Sequence, residues 1–164
     1  MMTTSLSPSH PAKLVLIDDD PAMVRLLASI IHRSYRHDIE MQPYSDPALA
    51  QDYLERELID IVVTDLAMPE INGLEILRIA KSRNPCAQVL LVTGHSSINA
   101  LLEALEHGAS DYLLKPVDEA SFVQLIGDAL ARVCRWRKAL AGTLSASASD
   151  AKVTQATRST CPRS

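Results

Sequence analysis

Cysteine is scarce in this chain. Its three cysteines, Cys86, Cys134 and Cys161, are far apart and odd in number, so they form neither the paired spacing of a zinc site nor a disulfide framework. That usage predicts a reducing, cytoplasmic compartment. The opening MMTTSLSPSHPAK has no apolar run that would serve as a signal peptide. No apolar stretch approaches the ~20 residues needed to cross a bilayer, so no membrane partner is expected. Positive charge is not in excess either: 16 Lys and Arg stand against 20 Asp and Glu, a formal −4, with a pI near 5.7. Direct grip on nucleic acid or on an anionic lipid surface needs clustered cations, and that balance argues against both. No internal repeat is visible.

What is present suits one packed domain with tails. The chain has 164 residues, 47% hydrophobic and 22% charged, enough apolar surface for a core and too much for wholesale disorder. Residues 1–11 are rich in Ser, Thr and Pro and read as a flexible leader. Residues 141–164, mostly small and polar, read as a flexible tail. The domain is expected over residues 12–140.

Within it, short apolar runs alternate with helical periods. KLVLI (13–17) stops at Asp18, Asp19 and Asp20. Asp20-Pro21 and Asp46-Pro47 each place a capping carboxylate before a first-turn proline. Met23, Leu26, Leu27, Ile30 and Ile31 follow the first at helical spacing, and Leu49, Tyr53 and Leu54 follow the second. Strands are expected at 38–42, 59–64, 88–92 and 111–114. After Pro69 and the Asn72-Gly73 turn signal, Leu74, Leu77 and Ala80 predict a helix; Ile98, Leu101, Leu102 and Leu105 predict another. Phe122, Leu125, Ile126, Ala129, Leu130 and Val133 predict a long last helix, to about Leu140. Five strand–helix repeats mean an α/β fold with a parallel sheet covered on both faces.

Ligands in such sheets bind beyond the carboxyl ends of the strands, near the switch point in strand order. The residues there are Asp18 and Asp19, Asp65, Thr93 and Lys115. In a doubly wound sheet of order 2-1-3-4-5 the first and third strands are neighbours, so three carboxylates converge. Two carboxylates about 5 Å apart repel by roughly 3 kcal/mol at an effective dielectric near 20. Hard oxygen donors crowded in this way favour Mg²⁺. A hydroxyl from Thr93 and an ammonium from Lys115 complete a rim suited to phosphoryl oxygens. The chemistry predicted is acceptance of a phosphoryl group by an aspartate.

The segments LVLIDDDP, VVTDLAMPEINGLEIL, VLLVTG and GASDYLLKP resemble the receiver domains of bacterial two-component response regulators. The resemblance covers roughly residues 12–140 and implies a five-stranded, doubly wound, flavodoxin-like (βα)5 fold. It implies Asp65 as phosphoacceptor, supplied by a histidine kinase or a histidine phosphotransfer protein. It also implies an Mg²⁺ pocket from Asp18, Asp19, Asp65 and the backbone carbonyl of Ala67. Thr93 would be the switch hydroxyl, Tyr112 the switch aromatic and Lys115 the phosphate-contacting lysine, with Lys115-Pro116 a cis peptide. No enzymatic turnover is expected beyond self-phosphorylation and self-dephosphorylation. Family positions that tune phosphoryl lifetime carry Ala67 and His95, and Ala67 has no side chain to hold a water, so a long-lived phosphoryl group is expected. An output protein or a second receiver would bind through the last two helices and last strand.

Each residue has a plainer reading. Asp20 is a helix cap, an isolated Lys is surface charge, and Tyr112 is a packing group. His10, His32, His37, His95 and His107 form no metal-spaced pairs. Arg132, Arg135, Arg137 and Lys138 read as a solvated helix end. The joint placement at four strand ends overturns these readings for the acidic and basic site residues. Two functional alternatives stay open. The chain is a stand-alone receiver or the regulatory portion of a larger regulator; or it is a haloacid-dehalogenase-like phosphatase with Asp18 as nucleophile. The phosphatase reading leaves Asp65 idle and lacks a second acidic motif after Lys115.

Overall fold

A computed structural model describes residues 10–95 and 97–158; most of the leader and the last six residues, Cys161 among them, lie outside these. The elements run β1 (Ala12–Ile17), α1 (Pro21–Tyr35), β2 (Ile39–Tyr44), α2 (Pro47–Arg56), β3 (Ile61–Thr64), α3 (Gly73–Arg83), β4 (Gln88–Thr93), α4 (Ile98–Glu106), β5 (Asp111–Leu114) and α5 (Glu119–Arg158). The five strands form one parallel sheet in the order β2-β1-β3-β4-β5, as the alternation of elements predicts. β2 begins and ends later than the sequence pattern suggests and contains Pro43, which a sheet tolerates on an edge strand.

Side-chain alternation along β1 divides the core. Leu14 and Leu16 face α1 and α5, packing with Leu27, Ile31, Phe122 and Ile126. Val15 and Ile17 face the other way, among Leu54, Val62, Leu77 and Leu91. Phe122, the sole phenylalanine, is fully buried. Each such side chain contributes about 1.5–3 kcal/mol on leaving water, and this aliphatic double layer clamps the sheet whose ends carry the polar residues.

Caps hold the helices in register. Asp20 and Asp46 each accept a hydrogen bond from the second residue after them, Ala22 and Ala48, with proline between. α3 has a cap that the turn signal did not suggest. The Asn72 side chain accepts from the backbone N–H of Leu74 and Glu75, while the Glu75 carboxylate accepts from Asn72 N, a reciprocal capping box.

Two helices differ from the sequence pattern. In α4 the recurring apolar residues Ile98, Leu102 and Leu105 are exposed, and only Ala104 is buried. Ala100 and Ala104 of this helix pack into the core beside Val89 and Leu91, Leu101 is half-buried, and Ile98, Leu102 and Leu105 face out. α5 continues to Arg158, eighteen residues past the expected end at Leu140, through part of the stretch read as a flexible tail. Extending an existing helix adds one hydrogen bond per residue without a new nucleus, and residues 143–158 contain several alanines and no proline or glycine. Arg137 is not simply a solvated charge: it donates to the His10 carbonyl and to Asp60 Oδ2 at 2.9 and 2.8 Å. Among the described residues no helix is long and apolar enough to cross a membrane.

Candidate functional site

Strand register brings the acidic residues together. Ile17 of β1 lies opposite Thr64 of β3, so Asp18 and Asp65, next in each chain, leave the sheet side by side. On the far side Thr93 pairs with Leu114, and Lys115 N donates to the Thr93 carbonyl at 2.9 Å. Residues remote in sequence therefore share one rim because parallel strands end at one level.

The Lys115 ammonium bridges two carboxylates. Its Nζ lies 2.6 Å from Asp18 Oδ2 and 2.8 Å from Asp65 Oδ2, with side chains 18%, 2% and 10% exposed for Lys115, Asp18 and Asp65. The second oxygens are also engaged: Asp18 Oδ1 accepts from Asp20 N at 2.9 Å, and Asp65 Oδ1 from Ala67 N at 3.1 Å. Asp19 is exposed, yet it offers a carboxylate oxygen within 4.8 Å of oxygens from Asp18 and Asp65.

Burial dominates the electrostatics. It pushes the Asp18 carboxyl above the ordinary aspartate value, against the lowering effect of Lys115 and the Asp20 N–H. Burial also works against the Lys115 charge, but hydrogen bonds and attraction from Asp18 and Asp65 together outweigh it, and its pKa is raised. Lys115 pairs with Asp18 and Asp65, while Asp19 adds a third carboxylate to the cluster, so acidic groups outnumber the ammonium. The donor set is all hard oxygen at one end of the sheet, and it fits a small divalent cation.

The other expected residues stand nearby in different roles. Thr93 ends β4 fully buried, and its hydroxyl is occupied by the loop: it accepts from His95 N at 3.2 Å and donates to the His95 carbonyl at 3.3 Å. Thus Thr93 is on the rim, but its hydroxyl is not bonded to Asp65. Tyr112 packs half-buried against the Val15–Leu91 side of the core, and its hydroxyl is buried without a hydrogen-bond partner among the described residues. The Lys115-Pro116 peptide is cis, as the resemblance implies. A Cβ at Gly94 would stand 3.7 Å from the Lys115 Cβ, an ordinary contact. The Asn72 cap that seats α3 beside Asp65 was missed in the sequence, although Asn72 followed by Glu75 is the signal for it.

A family model described as the response regulator receiver domain matches residues 14–127. The transcriptional regulatory protein GlrR of Escherichia coli is 33% identical over 138 residues, covering 80% of this chain and 30% of that protein. The response regulator protein PilR of Pseudomonas aeruginosa is 30% identical over 118 residues, 72% of this chain and 26% of PilR. The chain thus spans under a third of the length of these curated relatives. Among solved structures, a CheY-like receiver domain protein from Methanospirillum hungatei superposes with a TM-score of 0.69 at 23% identity, covering 75% of this chain and 96% of that one. A receiver domain protein from Clostridium thermocellum gives 0.64 at 29% identity, covering 74% and 95%. Sheet order, the strand-end carboxylates and lysine, and these matches agree, and the chain belongs to the receiver-domain family of two-component response regulators.

Proposed function

We propose that Asp65 is the phosphoacceptor and that residues 12–140 form the receiver unit. The observation that carries this is the Lys115 ammonium held between Asp18 and Asp65 at 2.6 and 2.8 Å. An Asp65 carboxylate oxygen attacks the phosphorus of a phosphohistidine on a histidine kinase or histidine phosphotransfer protein. The new O–P bond forms as the P–N bond to imidazole breaks, and the imidazole leaves with its electron pair and takes a proton. Lys115 is positioned to follow the phosphoryl oxygens by charge, with no general base required of the protein. Asp18, Asp19, Asp65 and the Ala67 carbonyl would hold Mg²⁺. Bound there, the ion supplies neutralising charge and a coordination position for a phosphoryl oxygen.

Phosphorylation adds about −1.5 to −2 charge and new acceptors. Thr93 then exchanges the His95 carbonyl for a phosphoryl oxygen, and Tyr112 repacks as the β4–α4 segment follows. The face that changes is α4, β5 and α5, where Ile98, Leu102, Leu105 and Leu114 are exposed. An output protein or a second receiver binds there. The chain performs self-phosphorylation and self-dephosphorylation, with slow loss of the phosphoryl group because the Ala67 methyl offers an attacking water no hydrogen-bonding group.

The phosphatase reading makes Asp18 the nucleophile. The Asp18 side chain is 2% exposed and that of Asp65 10%, which favours Asp65 as the carboxylate a donor reaches. Incubation with acetyl phosphate and Mg²⁺, followed by mapping of the labelled residue, tests the choice. Label on Asp65, lost in Asp65→Asn, is the expected result. Label on Asp18 with repeated turnover of phosphate esters would overturn it.

A further inference from the structure

The loop that carries Asp65 into α3 is pinned at both ends. At its start Asp65 N donates to the Ile17 carbonyl at 3.0 Å; at its end Gly73 N donates to the Leu66 carbonyl at 3.0 Å. Gly73 is the first residue of α3 and is buried. A Cβ built on it would stand 2.3 Å from the Asp65 carbonyl oxygen, 3.0 Å from the Asp65 carbonyl carbon and 2.9 Å from Leu66 Cα. All three are backbone atoms, so no flexible side chain can yield.

Neither partner in this contact has room to retreat. Behind Gly73, α3 is fixed by its capping box and by Leu74, Ile76, Leu77 and Ala80 in the core. Within the loop, Glu70 adopts φ 67°, and Ile71 N closes on the Pro69 carbonyl at 2.7 Å. That is a tight γ-turn with a non-glycine residue at positive φ, which leaves little slack between Asp65 and Asn72. A methyl group at position 73 must therefore push on the Asp65–Leu66 peptide. Opening the 2.3 Å approach to beyond 3.0 Å requires about 0.7 Å of movement, at the residue whose carboxylate sits 2.8 Å from Lys115 Nζ.

We infer that Gly73 is a positioning residue for the phosphoacceptor: its missing Cβ lets α3 start against the Asp65 peptide and so sets where the Asp65 carboxylate stands relative to Lys115 and Asp18. This rests on Asp65 as the site of phosphorylation. Displacement of a reacting group by about 1 Å lowers rates by around a hundredfold.

The test is the rate of Asp65 phosphorylation by acetyl phosphate and Mg²⁺ in the full chain, across donor concentrations, for the parent, Gly73→Ala and Gly127→Ala. The last is a control for replacing a helical glycine away from the site: its Cβ would stand 2.6 Å from the Tyr35 hydroxyl, the tip of a side chain, between α1 and α5. Gly73→Ala is expected to lose ten- to a hundredfold in the maximal rate of its folded fraction, with the half-saturating donor concentration nearly unchanged. Gly127→Ala is expected to keep the parent rate. Should Gly73→Ala not fold alone, Glu70→Gly is added to it: the relaxed turn returns stability and some slack, and a maximal rate still below that of Glu70→Gly alone is expected. A folded Gly73→Ala within twofold of the parent, or rate losses in both variants that track stability alone, would overturn the inference. A parent labelled elsewhere than Asp65 would instead overturn the phosphoacceptor assignment, and this inference with it.

Discussion

Replacing Lys115 by methionine keeps most of the side chain's length and removes its charge. The Asp18 and Asp65 carboxylates are then left facing one another with oxygens within 4.8 Å. Two unit charges at that separation repel by about 3.5 kcal/mol at an effective dielectric near 20. Breaking a buried ion pair by removing one member costs about 3–5 kcal/mol, because the partner stays buried. A loss near 3 kcal/mol at about pH 7.5 without Mg²⁺ is therefore expected, read as a shift in the urea midpoint by far-UV circular dichroism. The pH dependence gives the sharper test. The Asp18 pKa already lies above its ordinary 3.8 because of burial, and Lys115 is among the groups holding it down. In the variant it rises further, so the native state binds more protons than the unfolded chain between the ordinary carboxylate value and the new native one. Stability then falls as pH rises through that window, and the deficit should be smaller at about pH 5 than at about pH 7.5. Millimolar Mg²⁺ should recover more stability in the variant than it adds to the parent. A deficit equal at both pH values, or below about 1 kcal/mol at pH 7.5, would refute the view that Lys115 neutralises this carboxylate pair.

Two further variants probe strain and burial. Tyr112→Phe removes a buried hydroxyl that has no partner among the described residues and should stabilise the unphosphorylated protein by about 1 kcal/mol, measured by urea unfolding; a loss of stability would mean that the hydroxyl is satisfied in solution. Glu70→Gly relieves a residue held at φ 67° and should add about 1 kcal/mol, or roughly 2–4 °C in melting temperature; an unchanged or lower melting temperature would show that the turn carries no strain.

Much of the molecule could be read from residues alone because the signals are local. Apolar runs, the Asp20-Pro21 and Asp46-Pro47 caps and the strand-ending polar residues each occupy a few consecutive positions, and five repeats of strand and helix leave a parallel sheet as the outcome. The resemblance of the four motifs to receiver domains supplied roles for Ala67 and Tyr112 that no local pattern carries. Where helical periodicity misled, the reason is physical. Ile98, Leu102 and Leu105 make a good stripe for α4, but a stripe says only that a helix has a greasy side; in the fold it is Ala104 that is buried and the stripe that is exposed.

Sequence by itself settled which side chains stand at the strand ends, since a chain leaving a strand exposes its next residue whatever the neighbours do. Tertiary structure alone decided how they meet. Lys115 reaches both Asp18 and Asp65 because β1 and β3 end in register, a relation between segments 47 residues apart with no trace in either. The turning of the Thr93 hydroxyl toward His95, the unpartnered Tyr112 hydroxyl and the 2.3 Å that leaves no Cβ room at Gly73 are likewise distances. Distances between remote segments follow from how the layers pack, and packing is a property of the whole chain at once.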